Sequence, residues 1–135
     1  MALVSAEQGV AELETLVLDL LFVSEADYPL TVTLLGAIPE LDERRLLLAL
    51  AKPEGLPVTQ RTLEEFFARA VEDQPWHGPR ERSAVERYRA LVRFLGTALE
   101  QARVFRVGSI EVDAYALGKT SDGRWLGVAT KLIET

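Results

Sequence analysis

The first part of the chain shows the repeat of an amphipathic helix. Four apolar residues recur at helical spacing and would share one face: Val10, Leu13, Val17 and Leu20. Acidic residues of the same segment would lie on the opposite face. Ser5, followed three residues later by Gln8, has the form of a capping box, which satisfies free backbone N–H groups at a helix start. This pattern predicts a helix over residues 6–21.

Three later positions also carry helix-start signals. Asp42 is predicted to cap a short helix that runs through Ala51. Two further capping boxes, one for a short helix and one for the longest helix of the chain, are formed by Thr62 with Glu65 and by Ser83 with Glu86. The longest helix has an apolar stripe on one side and arginines on the other, which is typical of a helix packed on a core.

Strand patterns occupy other apolar segments. Residues 30–35 are aliphatic or β-branched and lie between Pro29 and Gly36, which predicts a first strand. Three segments near the C-terminus alternate with period two and are predicted to be neighbouring antiparallel strands: residues 104–107, 110–117 and 125–133. We expect a turn or bulge at Gly108 and a hairpin turn at Asp122-Gly123.

The middle one of these strands is apolar on both faces. One face would carry Ile110, Val112, Ala114 and Ala116, and the other Tyr115 and Leu117. A sheet that is apolar on two sides needs a cover on each, and the chain offers helices before and after its first strand. We therefore expect an α+β fold, a three-layer α/β/α sandwich with a mainly antiparallel central sheet. The length of 135 residues predicts a single domain, residues 1–135.

Composition and charge narrow the range of functions. The chain has no cysteine, which excludes disulfides, thiolate nucleophiles and sulfur metal sites. Its net charge is -6, and residues 1–43 contain nine acidic residues but no lysine or arginine. Direct binding to nucleic acid is therefore disfavoured, whereas a basic partner would be attracted. On this feature alone, an acidic helix face that simply improves solubility is the favoured interpretation.

No part of the sequence indicates a membrane. No apolar run approaches the roughly eighteen residues of a membrane-spanning helix. The first five residues lack the basic flank of a secretory signal. We therefore expect a cytoplasmic protein without a membrane partner. The sequence indicates no cofactor and leaves the oligomeric state open.

Two loops carry candidate binding residues. Residues 22–29 are polar in the middle and end at a proline, which predicts a loop that presents the carboxylates of Glu25 and Asp27. Pro75 and Pro79 bracket a second, rigid loop with Trp76 at its tip. Without further information, the two carboxylates would be assigned to a solvated loop.

The chain end is a third candidate. The strand pattern of the last residues continues to Glu134 and Thr135, whereas chain ends usually trail off as disordered residues. We therefore expect the Thr135 hydroxyl and two carboxylates, those of Glu134 and of the terminus, to be held at a fixed point. A simple chain end is the alternative.

Other residues could support catalysis. Glu111 and Asp113 project from the same strand face and could pair as a general acid and base. An exposed sheet margin, or hydrogen bonding within the fold, is the favoured interpretation. His77 has no accompanying serine or cysteine signature, so its ring is expected to bond the neighbouring loop backbone. Trp125 lies in a two-faced strand and is expected in the core.

Several segments together resemble the nuclease A inhibitor family, the cytoplasmic inhibitors of sugar-nonspecific, metal-dependent nucleases. The matching segments are residues 21–29 (LFVSEADYP), Phe66-Phe67, Trp76-His77-Gly78, residues 104–108 (VFRVG), residues 112–115 (VDAY), Gly118-Lys119-Thr120, Trp125, Gly127 and the closing Glu134-Thr135. Their order and spacing cover nearly the full length. The chain departs from the family between residues 30 and 60, where the first strand lacks aromatic character.

The resemblance implies an inhibitor that plugs the active site of its target and has no catalytic activity of its own. It implies that Thr135 approaches the catalytic magnesium of the nuclease, while Glu25 and Trp76 contact the nuclease. The neighbouring carboxylates of Asp27 and Glu134 would join this nuclease-binding surface. Two alternatives stay open: an acidic immunity or binding module for another basic protein, and a small hydrolase built on Glu111 and Asp113.

Overall fold

The computed structural model describes residues 2–135, in which helices and a mainly antiparallel sheet combine. The described helices are α1 (Ala6–Val17), α2 (Glu43–Ala49), α3 (Leu63–Phe67) and α4 (Pro79–Thr97). The described strands are β1 (Leu21–Val23), β2 (Asp27–Pro29), β3 (Thr31–Ala37), β4 (Val58–Arg61), β5 (Glu100–Val107), β6 (Glu111–Lys119) and β7 (Arg124–Ile133). The expected α+β class is confirmed.

The central sheet has five strands in the order β3-β7-β6-β5-β4, with each neighbouring pair antiparallel. Gly108 and Gly123 have positive φ angles of 109° and 82°, which glycine adopts without the steric cost of a Cβ. They stand at the β5–β6 and β6–β7 connections, so both predicted turns are confirmed. The predicted antiparallel neighbours near the C-terminus are confirmed as β5, β6 and β7.

The period-two pattern of β6 divides the buried residues between two clusters. Val112, Ala114 and Ala116 join a cluster with residues of α1, α3 and α4. Tyr115 and Leu117 join a second cluster that contains residues of α2 and the fully buried Trp125. This confirms that both faces of β6 carry buried apolar residues and that Trp125 lies in the core. Stacking into three layers stays a prediction.

The first helix and the following segment differ from the sequence prediction. Helix α1 ends at Val17 rather than at residue 21, and Asp19 adopts a left-handed φ of 58°. Leu20 is nevertheless buried, so its apolar character reflects core packing after the helix end. Residues 22–29 were predicted as a loop, but they form most of the antiparallel hairpin β1–β2.

Two further elements also differ from the prediction. Helix α4 begins at Pro79 rather than at Ser83, because the Glu81 side chain accepts a hydrogen bond from the Gly78 N–H at 2.8 Å and closes the first turn. Strand β4 was not predicted, since Val58 is its one aliphatic residue. It forms the sheet edge by pairing with β5.

Candidate functional site

The hairpin β1–β2 is anchored to the helices through aromatic side chains. Phe22 stacks on Phe66 with ring centroids 4.9 Å apart, and the Tyr88 hydroxyl donates to the Leu21 carbonyl at 2.7 Å. Burial raises the pKa of Tyr88, so this hydroxyl stays a donor at neutral pH. These contacts hold the base of the hairpin and leave its turn at the protein surface.

The hairpin is also tied to the last part of β7. The Thr130 hydroxyl donates to the Pro29 carbonyl at 3.0 Å. At the turn, the Ser24 hydroxyl donates to the Ala26 carbonyl at 3.0 Å and accepts from the Ile133 N–H at 3.2 Å. The end of the chain therefore lies alongside the hairpin turn.

Glu25 and Thr135 contact each other directly at this position. One carboxylate oxygen of Glu25 accepts from the Thr135 N–H at 2.8 Å, and the other accepts from the Thr135 hydroxyl at 2.7 Å. Both residues are exposed. The Thr135 hydroxyl is therefore held in place, as predicted. The residue that holds it, Glu25, lies 110 residues earlier in the chain.

Glu134 is held from the opposite side. Its N–H donates to the Ile110 carbonyl at 2.8 Å, and its carboxylate pairs with the Arg106 guanidinium. Partial burial lowers the pKa of Arg106, but an arginine stays charged at neutral pH. Glu134 is therefore already paired with a cation of the same protein.

Apolar and acidic side chains flank this contact. Val23, which precedes Ser24, and Ile110, whose carbonyl accepts from Glu134, are 72% and 62% exposed. Ile110 was expected on an apolar strand face, but it lies just before β6 and faces solvent. Asp27 is exposed on β2, with no ion pair among residues 2–135. We name Val23, Glu25, Asp27, Ile110, Glu134 and Thr135 the terminal site.

Trp76 lies on a separate loop, residues 74–78, which we name the tryptophan loop. The His77 N–H donates to the Gln74 carbonyl at 3.0 Å, and His77 Nδ1 accepts from the Gln74 N–H at 3.1 Å. The expected bond between the His77 ring and the loop backbone is confirmed. Trp76 is 74% exposed and packs edge-on against the His77 ring, with centroids 4.4 Å apart.

The tryptophan loop leads directly into α4, whose Glu81 cap fixes the junction. The backbone hydrogen bond from Gly78 lowers the pKa of Glu81, which keeps the capping carboxylate ionised. Within the described chain, no hydrogen bond or ring contact joins Trp76 to the terminal site. The structure thus brings Glu25 and Thr135 together, with Glu134 and Asp27 adjacent to them. Trp76 lies on a different loop, which is held by its own hydrogen bonds.

The proposed acid and base pair forms salt bridges instead. Glu111 pairs with Lys131, and Asp113 pairs with Lys52, each at 2.9 Å. Hydrogen bonds to these carboxylates raise the pKa of both lysines, which therefore remain protonated partners at neutral pH. This arrangement favours the interpretation as a hydrogen-bonded sheet margin. Among residues 2–135, no group of three acidic or histidine side chains could hold a metal ion.

Three residues that support the chain end were not predicted from the sequence to do so. Ser24, Ile110 and Arg106 hold or flank the chain end through contacts that span 109, 24 and 28 residues. Only the hydroxyl of Ser24 had a local signal, because serine is common in turns. The partners of the other two depend on the β5–β6–β7 register.

Comparison with known proteins gives one finding on the family. A family model described as "nuclease A inhibitor-like protein" matches residues 7–135. The match includes both the terminal site and the tryptophan loop. No curated protein matches the chain.

No helix among the described residues has the length and apolar character needed to cross a membrane.

Proposed function

The chain belongs to the nuclease A inhibitor-like family, and we propose that it inhibits a magnesium-dependent, sugar-nonspecific endonuclease by occluding the active site. The observation that carries the proposal is the exposed Thr135, held in place by Glu25 through two hydrogen bonds. A fixed and accessible chain end is what a plug requires. The proposal also takes the fold as three layers, with α2 on one face of the sheet and the other helices on the second, which the two clusters support.

Thr135 would supply the group that occupies the position of the substrate. Its hydroxyl is a hard oxygen ligand, and a free α-carboxylate, with an ordinary pKa of about 3.3 to 3.7, would be ionised at neutral pH. Such oxygens suit magnesium and can replace those of a scissile phosphate. The metal in question belongs to the nuclease, and the proposal requires that Thr135 carry the free carboxylate.

The acidic residues around Thr135 would match a basic cleft. A nuclease cleft is positively charged because it binds a polyanion, so carboxylates at the terminal site would be steered towards it. Asp27 is the most available of these, because Glu25 bonds Thr135 and Glu134 pairs with Arg106. We therefore assign Asp27 to long-range attraction and the other two to the shape of the plug.

Apolar side chains would supply contact area around the charged groups. Val23 and Ile110 are exposed next to the chain end, and Trp76 offers the largest exposed apolar side chain. Apolar groups that surround a polar contact exclude water from it, and a tryptophan at such an interface typically contributes roughly 2 kcal/mol or more. We propose that Trp76 is a second anchor, independent of the terminal site.

The proposal is tested by titrating the purified protein into plasmid-DNA and RNA digestion assays with magnesium-dependent, sugar-nonspecific endonucleases. We expect stoichiometric inhibition on both substrates, since a blocked active site cannot distinguish the sugar. Binding without inhibition would contradict occlusion and favour the alternative, an acidic binding module for a basic protein. Failure to bind any nuclease of this class would contradict the proposal as a whole.

A further inference from the structure

We infer that Glu25 is a positioning residue that acts on the nuclease mainly through Thr135, and that it sets a requirement for a hydroxyl side chain at position 135. This inference rests on the proposed function and adds an internal role for a residue that the family resemblance assigns to direct contact. Both oxygens of the Glu25 carboxylate are already engaged by Thr135, at 2.8 and 2.7 Å. These two bonds use about half of the acceptor sites of an ionised carboxylate and fix its orientation towards Thr135.

The remaining contacts of the chain end stop one residue short of Thr135. The Ile133 N–H is bonded by Ser24, and the Glu134 N–H is bonded by the Ile110 carbonyl. Among the described hydrogen bonds, only those to Glu25 hold Thr135 itself. Removing the Glu25 carboxylate should therefore free the last residue while the strand before it stays paired.

The hydrogen-bond direction at the threonine hydroxyl has a chemical consequence. A hydroxyl has one proton and two acceptor lone pairs. Because the proton of Thr135 Oγ1 is donated to Glu25 and the residue is exposed, the lone pairs of this oxygen are left free to accept. An oxygen in this state can approach a cation without turning its own proton towards it. Serine at position 135 would preserve this arrangement, whereas valine has a similar shape and lacks the hydroxyl.

Ordering the residue before binding also affects affinity. A chain end that is already fixed loses less conformational freedom when it enters a cleft than one that is mobile. The loss of Glu25 should therefore weaken inhibition, but by no more than the loss of Thr135 itself. The two residues should be coupled in a double-mutant cycle, because Glu25 has no residue left to position once Thr135 is absent.

The first measurement concerns the free protein and does not need a nuclease. The {1H}-15N heteronuclear NOE of the Thr135 amide is measured in the wild type, in Glu25→Ala and in the matched control Asp27→Ala, which removes a neighbouring carboxylate but no bond to Thr135. We expect low NOE values, typical of a mobile residue, only in Glu25→Ala. An ordered Thr135 in Glu25→Ala would overturn the positioning role, and thermal unfolding of each variant checks that the fold is retained.

The second measurement is a cycle of inhibition constants with Glu25→Ala, deletion of Thr135 and the combination. We expect each single change to weaken inhibition at least tenfold, and the combination to match the deletion to within about threefold. Effects that multiply would overturn the inference by showing an independent nuclease contact of Glu25. Thr135→Ser should inhibit within about threefold of wild type and Thr135→Val at least tenfold less well; equal inhibition by both would overturn the hydroxyl requirement. If the wild type inhibits no nuclease, the proposed function fails, while the NOE measurement still decides whether Glu25 holds Thr135.

Discussion

The terminal site and the tryptophan loop differ in how far along the chain their supports lie. Glu25 and Thr135 are 110 residues apart, so their contact exists only when the hairpin and β7 are in place. The tryptophan loop is closed by bonds between Gln74 and His77, three residues apart, and by the cap of Glu81 on Gly78. The terminal site thus depends on the whole fold, whereas the tryptophan loop depends mainly on local geometry. Changes in one should therefore leave the other intact.

The largest effect is expected from Trp76→Ala. Loss of an exposed aromatic anchor of roughly 2 kcal/mol corresponds to about thirtyfold weaker inhibition. Because Trp76 is 74% exposed, and its ring contact within residues 2–135 is with the neighbouring His77, the free energy of unfolding should change little. Inhibition constants and urea unfolding curves measure the two quantities. A loss of less than threefold would contradict the role of Trp76 as an anchor, and a changed amide signal of Thr135 would contradict the independence of the two anchors.

A smaller loss of inhibition is expected when Val23 or Ile110, the apolar rim of the terminal site, is made polar. Val23→Ser and Ile110→Ser should each weaken inhibition about fivefold, since burying such a side chain contributes on the order of 1 kcal/mol. Leu48→Ser is the matched control, because Leu48 is also 72% exposed but lies at the end of α2. Equal losses in all three variants would indicate a nonspecific effect and remove the rim from the site.

The effect of Asp27→Asn should be smaller still and confined to association. This carboxylate forms no ion pair within residues 2–135, and a charge at the edge of an interface mainly changes the association rate. We expect a two- to threefold slower association at low salt and no difference at about 1 M salt, where charges are strongly screened. Stopped-flow or surface plasmon resonance measures both rates. A faster dissociation would assign Asp27 to a direct contact.

The smallest effect concerns the pH dependence of the tryptophan loop. The pKa of Glu81 is below its ordinary value because its carboxylate accepts from the Gly78 N–H. Its stabilising contribution is therefore present above the ordinary glutamate pKa of about 4.3 and is lost as the pH falls through the folded-state value. In urea unfolding measured from pH 6 to pH 3, the free energy of unfolding should fall less steeply in Glu81→Gln than in the wild type. Identical slopes would rule out the cap as a pH-sensitive support.

The local features of the fold could be predicted from the sequence. Ser5, Asp42 and Thr62 cap helices as predicted, since the bonds of a cap lie within four residues. The C-terminal strands were also predicted, because both faces of β6 carry a period-two pattern. The start of α4 was placed too late because the glycine N-cap has no side chain; the proline at its first turn was the available signal.

Features that depend on distant partners could not be predicted. The hairpin β1–β2 has strands of three residues, too short for a clear pattern, and it is held by distant contacts such as those of Phe22 with Phe66 of α3 and Tyr88 of α4. Strand β4 forms because its backbone pairs with that of β5. Glu25 and Thr135 were each identified as candidates, but their direct contact follows from the position of β7 beside the hairpin.

The central claim is that Thr135 occupies the active site of a nuclease, and extension of the chain tests it most directly. Wild-type protein is compared with variants that carry a short glycine-serine tag after Thr135 or lack Thr135, in an inhibition assay against one magnesium-dependent, sugar-nonspecific endonuclease. Since an added segment would collide with the cleft and remove the α-carboxylate, we predict at least tenfold weaker inhibition, with unfolding unchanged. Full inhibition by the tagged protein would contradict the claim.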